Sequence, residues 1–91
     1  MKKTIWKYEL PFPETQLQMP MGAQVLDVQV QNDTPCIWAL VDQKLKLEIR
    51  KFKFFGTGHE IDSFITKQNY VGTFQLREGL LIFHLFETTK F

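Results

Sequence analysis

Apolar and polar residues alternate with a period of two along most of the chain, the spacing of half-buried β-strands rather than helices. Trp6, Tyr8 and Leu10 alternate with Lys7 and Glu9, and Pro11 with Pro13 is expected to end that strand. Leu17 and Met19 flank Gln18 in a short second strand, closed by the turn Met19-Pro20-Met21-Gly22. From Ala23 to Gln31 the pattern places Leu26, Val28 and Val30 on one face and Asp27, Gln29 and Gln31 on the other. Asn32-Asp33-Thr34-Pro35 is a tight-turn composition, and Cys36–Val41 follows as a nearly all-apolar strand expected to be buried on both faces. Val25–Val41 therefore reads as a hairpin.

After Asp42-Gln43-Lys44 the stretch Leu45–Phe54 changes parity: Leu45, Leu47 and Ile49 are odd, Phe52 and Phe54 even. A β-bulge near Arg50-Lys51 would return them to one face. Gly56–Asp62 is expected to leave the sheet, with at most one helical turn or a folded loop over Ser63–Thr66. Tyr70, Gly72, Phe74 and Leu76 then alternate with Val71, Thr73 and Gln75, Arg77-Glu78-Gly79 turns the chain, and Leu80–Phe86 reads as a second buried strand. About six or seven short strands joined by such turns predict an all-β fold, a small antiparallel β-sandwich or partly open β-barrel.

Length and composition narrow the picture. Ninety-one residues suit a single domain over 1–91, and 44% hydrophobic content excludes disorder. A domain of this size buries only about 60–65% of its unfolded surface. Nine Phe, two Trp and two Tyr are hard to hide in one such core, so some are expected in a pocket or a homo-oligomeric interface. The formal charge of +1 makes duplex nucleic acid an unlikely partner. A single cysteine, no apolar run of spanning length and no apolar segment behind the basic start point to a soluble protein of a reducing cytoplasm, without a membrane.

One stretch concentrates candidate chemistry. Lys44, Lys46, Arg50, Lys51 and Lys53 face one acidic residue, Glu48, interleaved with Phe52, Phe54 and Phe55 and followed by Gly56-Thr57-Gly58-His59. Cations neutralise phosphate, free backbone N–H groups of a turn bind its oxygens, and an aromatic face stacks on a base. The candidate ligand-binding set is Arg50, Lys51 and Lys53 for phosphate, Thr57, Gly58 and His59 for the nest, and Trp38 or Phe55 for stacking. The same stretch also reads as a solvated edge strand whose lysines block aggregation. No Walker loop or dinucleotide fingerprint is present. His59 lies near Glu60 and Asp62, but His84 is the only other imidazole, so neither a metal site nor a cofactor is expected. His84 reads as a satisfied core or interface residue sharing a face with Ile82 and Phe86. Cys36 reads as a buried small hydrophobe, and Trp38 as core by default. No catalytic residue is assigned.

Several segments together carry a resemblance: Thr4–Leu10, Val28–Asn32 with Pro35–Asp42, Gly56–Ile61, Tyr70–Gln75 and Phe83–Glu87. The set resembles small proteins of tailed bacteriophages and prophages that carry a domain of unknown function. The resemblance covers nearly the whole chain and implies a phage origin, hence the cytoplasm of an infected or lysogenic bacterial host, and a compact β fold. It carries no activity over. Many small phage proteins oppose host defence, some by sequestering nucleotide signals. The expectation is a non-catalytic, homo-oligomeric binder of an anionic small molecule, a cyclic nucleotide or an ADP-ribose-type signal. The alternative is a protein–protein interaction module, inhibiting a host factor or forming a minor phage structural component. Single-stranded nucleic-acid binding is a third reading, weakened by the near-neutral charge.

Overall fold

The computed structural model describes residues 2–11 and 14–89, so the expected break at Pro13 lies outside the described residues. Among those described, seven strands form two antiparallel sheets: β1 (Thr4–Glu9), β2 (Glu14–Pro20), β3 (Gln24–Gln31), β4 (Thr34–Val41), β5 (Leu47–Gly56), β6 (Tyr70–Leu76) and β7 (Leu81–Glu87). One sheet has the order β1-β4-β3, the other β2-β5-β7-β6. The two pack face to face as a sandwich, not a closed barrel. A single 3-10 turn, Lys67–Asn69, precedes β6.

Alternation decides which side chains enter the core. Ile37, Ala39 and Val41 of the central strand β4 are fully buried, with Trp6 and Tyr8 beside them in register from β1 and Val28 from β3. Opposite them lie Met19, Phe52, Phe74, Leu76 and Leu85 of the larger sheet. Phe54 packs edge-on against Phe74, and Phe74 stacks on Phe83. Burial on both faces of β4 holds only in part: Cys36 is buried on the far side, but Trp38 and Leu40 there are half-exposed.

The parity change in β5 is resolved without a bulge. Its register with β2 runs unbroken from Leu47 to Lys53, and with β7 from Phe52 to Gly56. Leu47 and Ile49 instead face solvent, each more than half exposed, and the inward position goes to Arg50, which is only 7% exposed. The irregularities fall in other strands. One between Val25 and Asp27 turns Leu26 away from Val28, leaving it exposed, and one between Tyr70 and Gly72 moves Tyr70 to the outer face. The expected burial of Leu80–Phe86 is also corrected: Leu80 sits exposed in the turn, Leu81 and Ile82 are exposed, and Leu85 alone is fully buried. Leu81 lies at the end of the sandwich beside the β3–β4 turn, and Ile82 points to the outer face with His84 and Phe86.

Among the contacts that join the sheets, two fix their spacing and register. At the seam, β3 and β6 approach so closely that a Cβ on Gly72 would lie 2.6 Å from Val28 Cγ1. Inside, the Arg50 guanidinium donates from Nε and Nη2 to both carboxylate oxygens of Glu87 on β7, and from Nη1 to the Ala23 carbonyl at 2.8 Å. Glu48 Oε2 lies 3.7 Å from Nη1 and accepts from Gly22 N. The hydrogen bond to Glu87 raises the Arg50 pKa above its ordinary value, against the opposing effect of burial. The clamp thus ties the start of β3 to the floor of the other sheet.

Removing one partner of a buried pair leaves the other charge without compensation, which costs about 3–5 kcal/mol. Glu87→Ala is therefore expected to lower unfolding stability by about 3 kcal/mol in urea denaturation, and Arg50→Met with Glu87→Leu to recover most of that loss. Gly72→Ala is expected to cost about 1–3 kcal/mol by overpacking. Val28→Ala in the same chain then costs less than the two single changes summed, a coupling that a double-mutant cycle reads directly.

Candidate functional site

The eight sequence-selected residues divide among three places. Arg50 is inside the sandwich, engaged by Glu87 and Ala23. It is thereby withdrawn from the phosphate role, because the parity of β5 turns it inward. Trp38 lies on the outer face of the three-stranded sheet, between Lys7 and Asp27 in register, on the opposite side of the molecule from the outer face of β5. It is not core. The remaining residues, Lys51, Lys53, Phe55, Thr57, Gly58 and His59, share the outer face of the four-stranded sheet or the turn at its end.

That turn is built around His59. Its backbone N–H donates to the Gly56 carbonyl at 3.1 Å, and its Nδ1 accepts from Gly56 N at 3.2 Å. A Cβ at position 56 would meet the imidazole at 2.7 Å, so only glycine admits the ring. His59 is a structural pin, and its N–H is engaged within the turn rather than offered to an anion.

From Thr57 the chain folds back over the outer face of β7 and β6 until it re-enters the sheet at Tyr70. Ile61, Ile65, Lys67, Tyr70 and Phe86 are the chief walls of a groove of about 510 Å³, with Asp62, Ser63 and Thr66 completing it. Its floor is aromatic: Phe86 meets Tyr70 at 5.5 Å and Phe55 at 5.7 Å between ring centroids, both edge-on. Lys53 approaches Asp62 at 3.9 Å, a solvent-exposed pair. Thr66 caps the 3-10 turn in a reciprocal box with Asn69, which also donates to the Glu87 carbonyl at 3.1 Å.

Next to the groove stands a hydrogen-bonded row that the alternation pattern did not assign. His84 Nε2 meets Thr57 Oγ1 at 2.7 Å, its Nδ1 meets Thr73 Oγ1 at 2.8 Å, and that hydroxyl is bonded to the Tyr70 hydroxyl. His84 is satisfied as expected, and it shares a face with Ile82 and Phe86, but that face is the outer one. Its threonine partners are far apart in sequence, and only the register Phe55–His84–Thr73 brings them together.

A second, more polar cavity of about 330 Å³ opens at the seam, between Val25, Val71 and the Arg50–Glu87 pair. Cys36 is buried, its thiol donating to the Thr34 carbonyl, and burial pushes its pKa up, the opposite of an activated nucleophile. Among the described residues no cluster of three His, Cys, Asp or Glu is placed to hold a metal ion, and no helix is long and apolar enough to cross a membrane.

The profile of a family described as a domain of unknown function, DUF7352, matches residues 1–91. The chain belongs to that family. No curated protein and no solved structure matches it. The geometry of this DUF7352 domain sets Tyr70 and Phe86 beside Lys67 in one groove.

Proposed function

We propose that this DUF7352 domain is a non-catalytic binding domain that holds an anionic small molecule bearing an aromatic ring in the groove beneath residues 57–69. One observation carries the reading: a groove of about 510 Å³ with an aromatic floor, bordered by Lys67 and by Lys53 beyond Asp62. Its size falls within the usual range for small-ligand sites, which are largely apolar with a few polar groups that set orientation. A base or other flat ring packs against Phe86 and Tyr70, and phosphate or carboxylate meets the lysines. A nucleotide-type signal is the biological member of that class. With a phage origin and a bacterial cytoplasm, the domain would act as a sponge that sequesters such a signal.

A second reading is favoured by a different observation. Leu47 and Ile49 project side by side from the outer face of β5, 55% and 54% exposed, near Leu45 at 47%. Adjacent apolar side chains on an open sheet face suit a protein contact, either a second copy or a host or phage partner. Under this reading the wild type sediments as a dimer in analytical ultracentrifugation and Leu47→Lys with Ile49→Lys as a monomer. A monomeric wild type leaves only a foreign partner for that face.

The ligand reading is tested by thermal shift and calorimetry with cyclic nucleotides, ADP-ribose and 1-naphthoate, a minimal aromatic anion. Saturation at about 100 times Kd adds about 2.7 kcal/mol of stability. Lys67→Gln is expected to weaken binding of the anions about threefold while sparing neutral naphthalene, and Ile61→Glu to abolish it. Absence of any shift or heat across the panel overturns the reading.

A further inference from the structure

The groove exists only while the segment that walls it stays down on the sheet. That segment leaves at Gly56 and returns at Tyr70, and side-chain hydrogen bonds tie it to the strands at both ends. Lys53 reaches Asp62 across solvent at 3.9 Å, and Asn69 holds the Glu87 carbonyl near the returning end. At the exit His59 accepts from Gly56 N, and His84 adds a further attachment. It stands on β7, an inner strand of the four-stranded sheet, and is bonded to Thr57 at one end of the segment and, through Thr73, to the Tyr70 hydroxyl at the other. Nε2 takes Thr57 just past the exit, while Nδ1 takes Thr73, whose hydroxyl is bonded to Tyr70 at the re-entry point.

We propose that His84 is the positioning residue of the groove: its two ring nitrogens latch the exit and re-entry of the segment over residues 57–69 and so hold the groove's wall and its Tyr70 floor in register. The chemistry of the partners suits a latch. A neutral imidazole offers one donor and one acceptor, and a threonine or tyrosine hydroxyl serves in either role, so every member of the row is satisfied with the protons aligned in one direction. The imidazole faces Phe55 from β5 and Thr73 from β6, with Ile82 and Phe86 along its own strand. The core residues Phe52 and Leu85 lie on the opposite side of the sheet. Releasing the latch therefore opens the segment locally and leaves the sandwich folded.

The effect on a ligand rests on the groove reading given above; the effect on the segment does not. Amide hydrogen exchange and 1-naphthoate titration of the full chain separate the two. Thr57→Val, which keeps shape and removes the hydroxyl, is expected to speed exchange over residues 57–66 about tenfold with global unfolding by urea nearly unchanged, and to weaken naphthoate at least threefold. Thr57→Ser restores both, and His84→Gln, which cannot reach both threonines, behaves like Thr57→Val. Unchanged exchange over 57–66 in both Thr57→Val and His84→Gln overturns the latch. Faster exchange in those variants, with no naphthoate bound by the wild type, upholds the latch and removes the ligand from the groove.

Discussion

The pairing of Arg50 with Glu87 sets the terms for much of this fold. A guanidinium inside a sandwich of this size is tolerable only if its N–H groups find acceptors, and here they find a carboxylate on both oxygens and a backbone carbonyl. Each acceptor comes from a different element, so the charge holds β5, β7 and the entry to β3 in one arrangement. Apolar content alone does not say which face of β5 turns inward, since Leu47 and Ile49 stand on one face and Phe52 and Phe54 on the other. The fork geometry of arginine accepts one of the two. The same choice turns Leu47 and Ile49 outward, since a straight strand with Arg50 inside has no other place for them.

The molecule thereby acquires two unlike outer surfaces. The three-stranded sheet presents Lys7, Trp38 and Asp27 in a row, with a hydrogen bond from Lys7 to Gln31 across its face over β4. The four-stranded sheet presents an apolar stretch at its β2 side and, at its β6 side, aromatic rings overlaid by a folded segment. The surplus of aromatic residues finds its explanation here. Phe52, Phe54, Phe74 and Phe83 belong to the core, whereas Phe55, Tyr70 and Phe86 form a separate cluster on the far side of the same sheet.

Much of the architecture was legible from alternation: the strand count, the β3–β4 hairpin, the turn at Arg77–Gly79 and the antiparallel class all follow from a period of two and turn chemistry. The errors share a cause. Alternation assigns residues to one of two faces but does not say which face is inward where both carry apolar groups, as on β5. It also does not locate an irregularity: the parity shift in β5 suggests a bulge at Arg50-Lys51, whereas the irregularities lie at Leu26 and Val71. Site residues were legible only where they were close in sequence. Lys53, Phe55 and Thr57 do share one surface, while Arg50 and Trp38 were separated from it by the same two-sided geometry. His84 and its threonines were invisible as a set, because strand pairing and not sequence proximity assembles them.

The seam between β3 and β6 constrains which side chains can stand at two positions of this chain. Val28 fills the volume that any side chain at position 72 would need. In this chain the two positions draw on one shared space, so a larger residue at 72 calls for a smaller one at 28. Such a pair is a mark of the fold readable in bare sequence, independent of the groove, the lysines or any ligand.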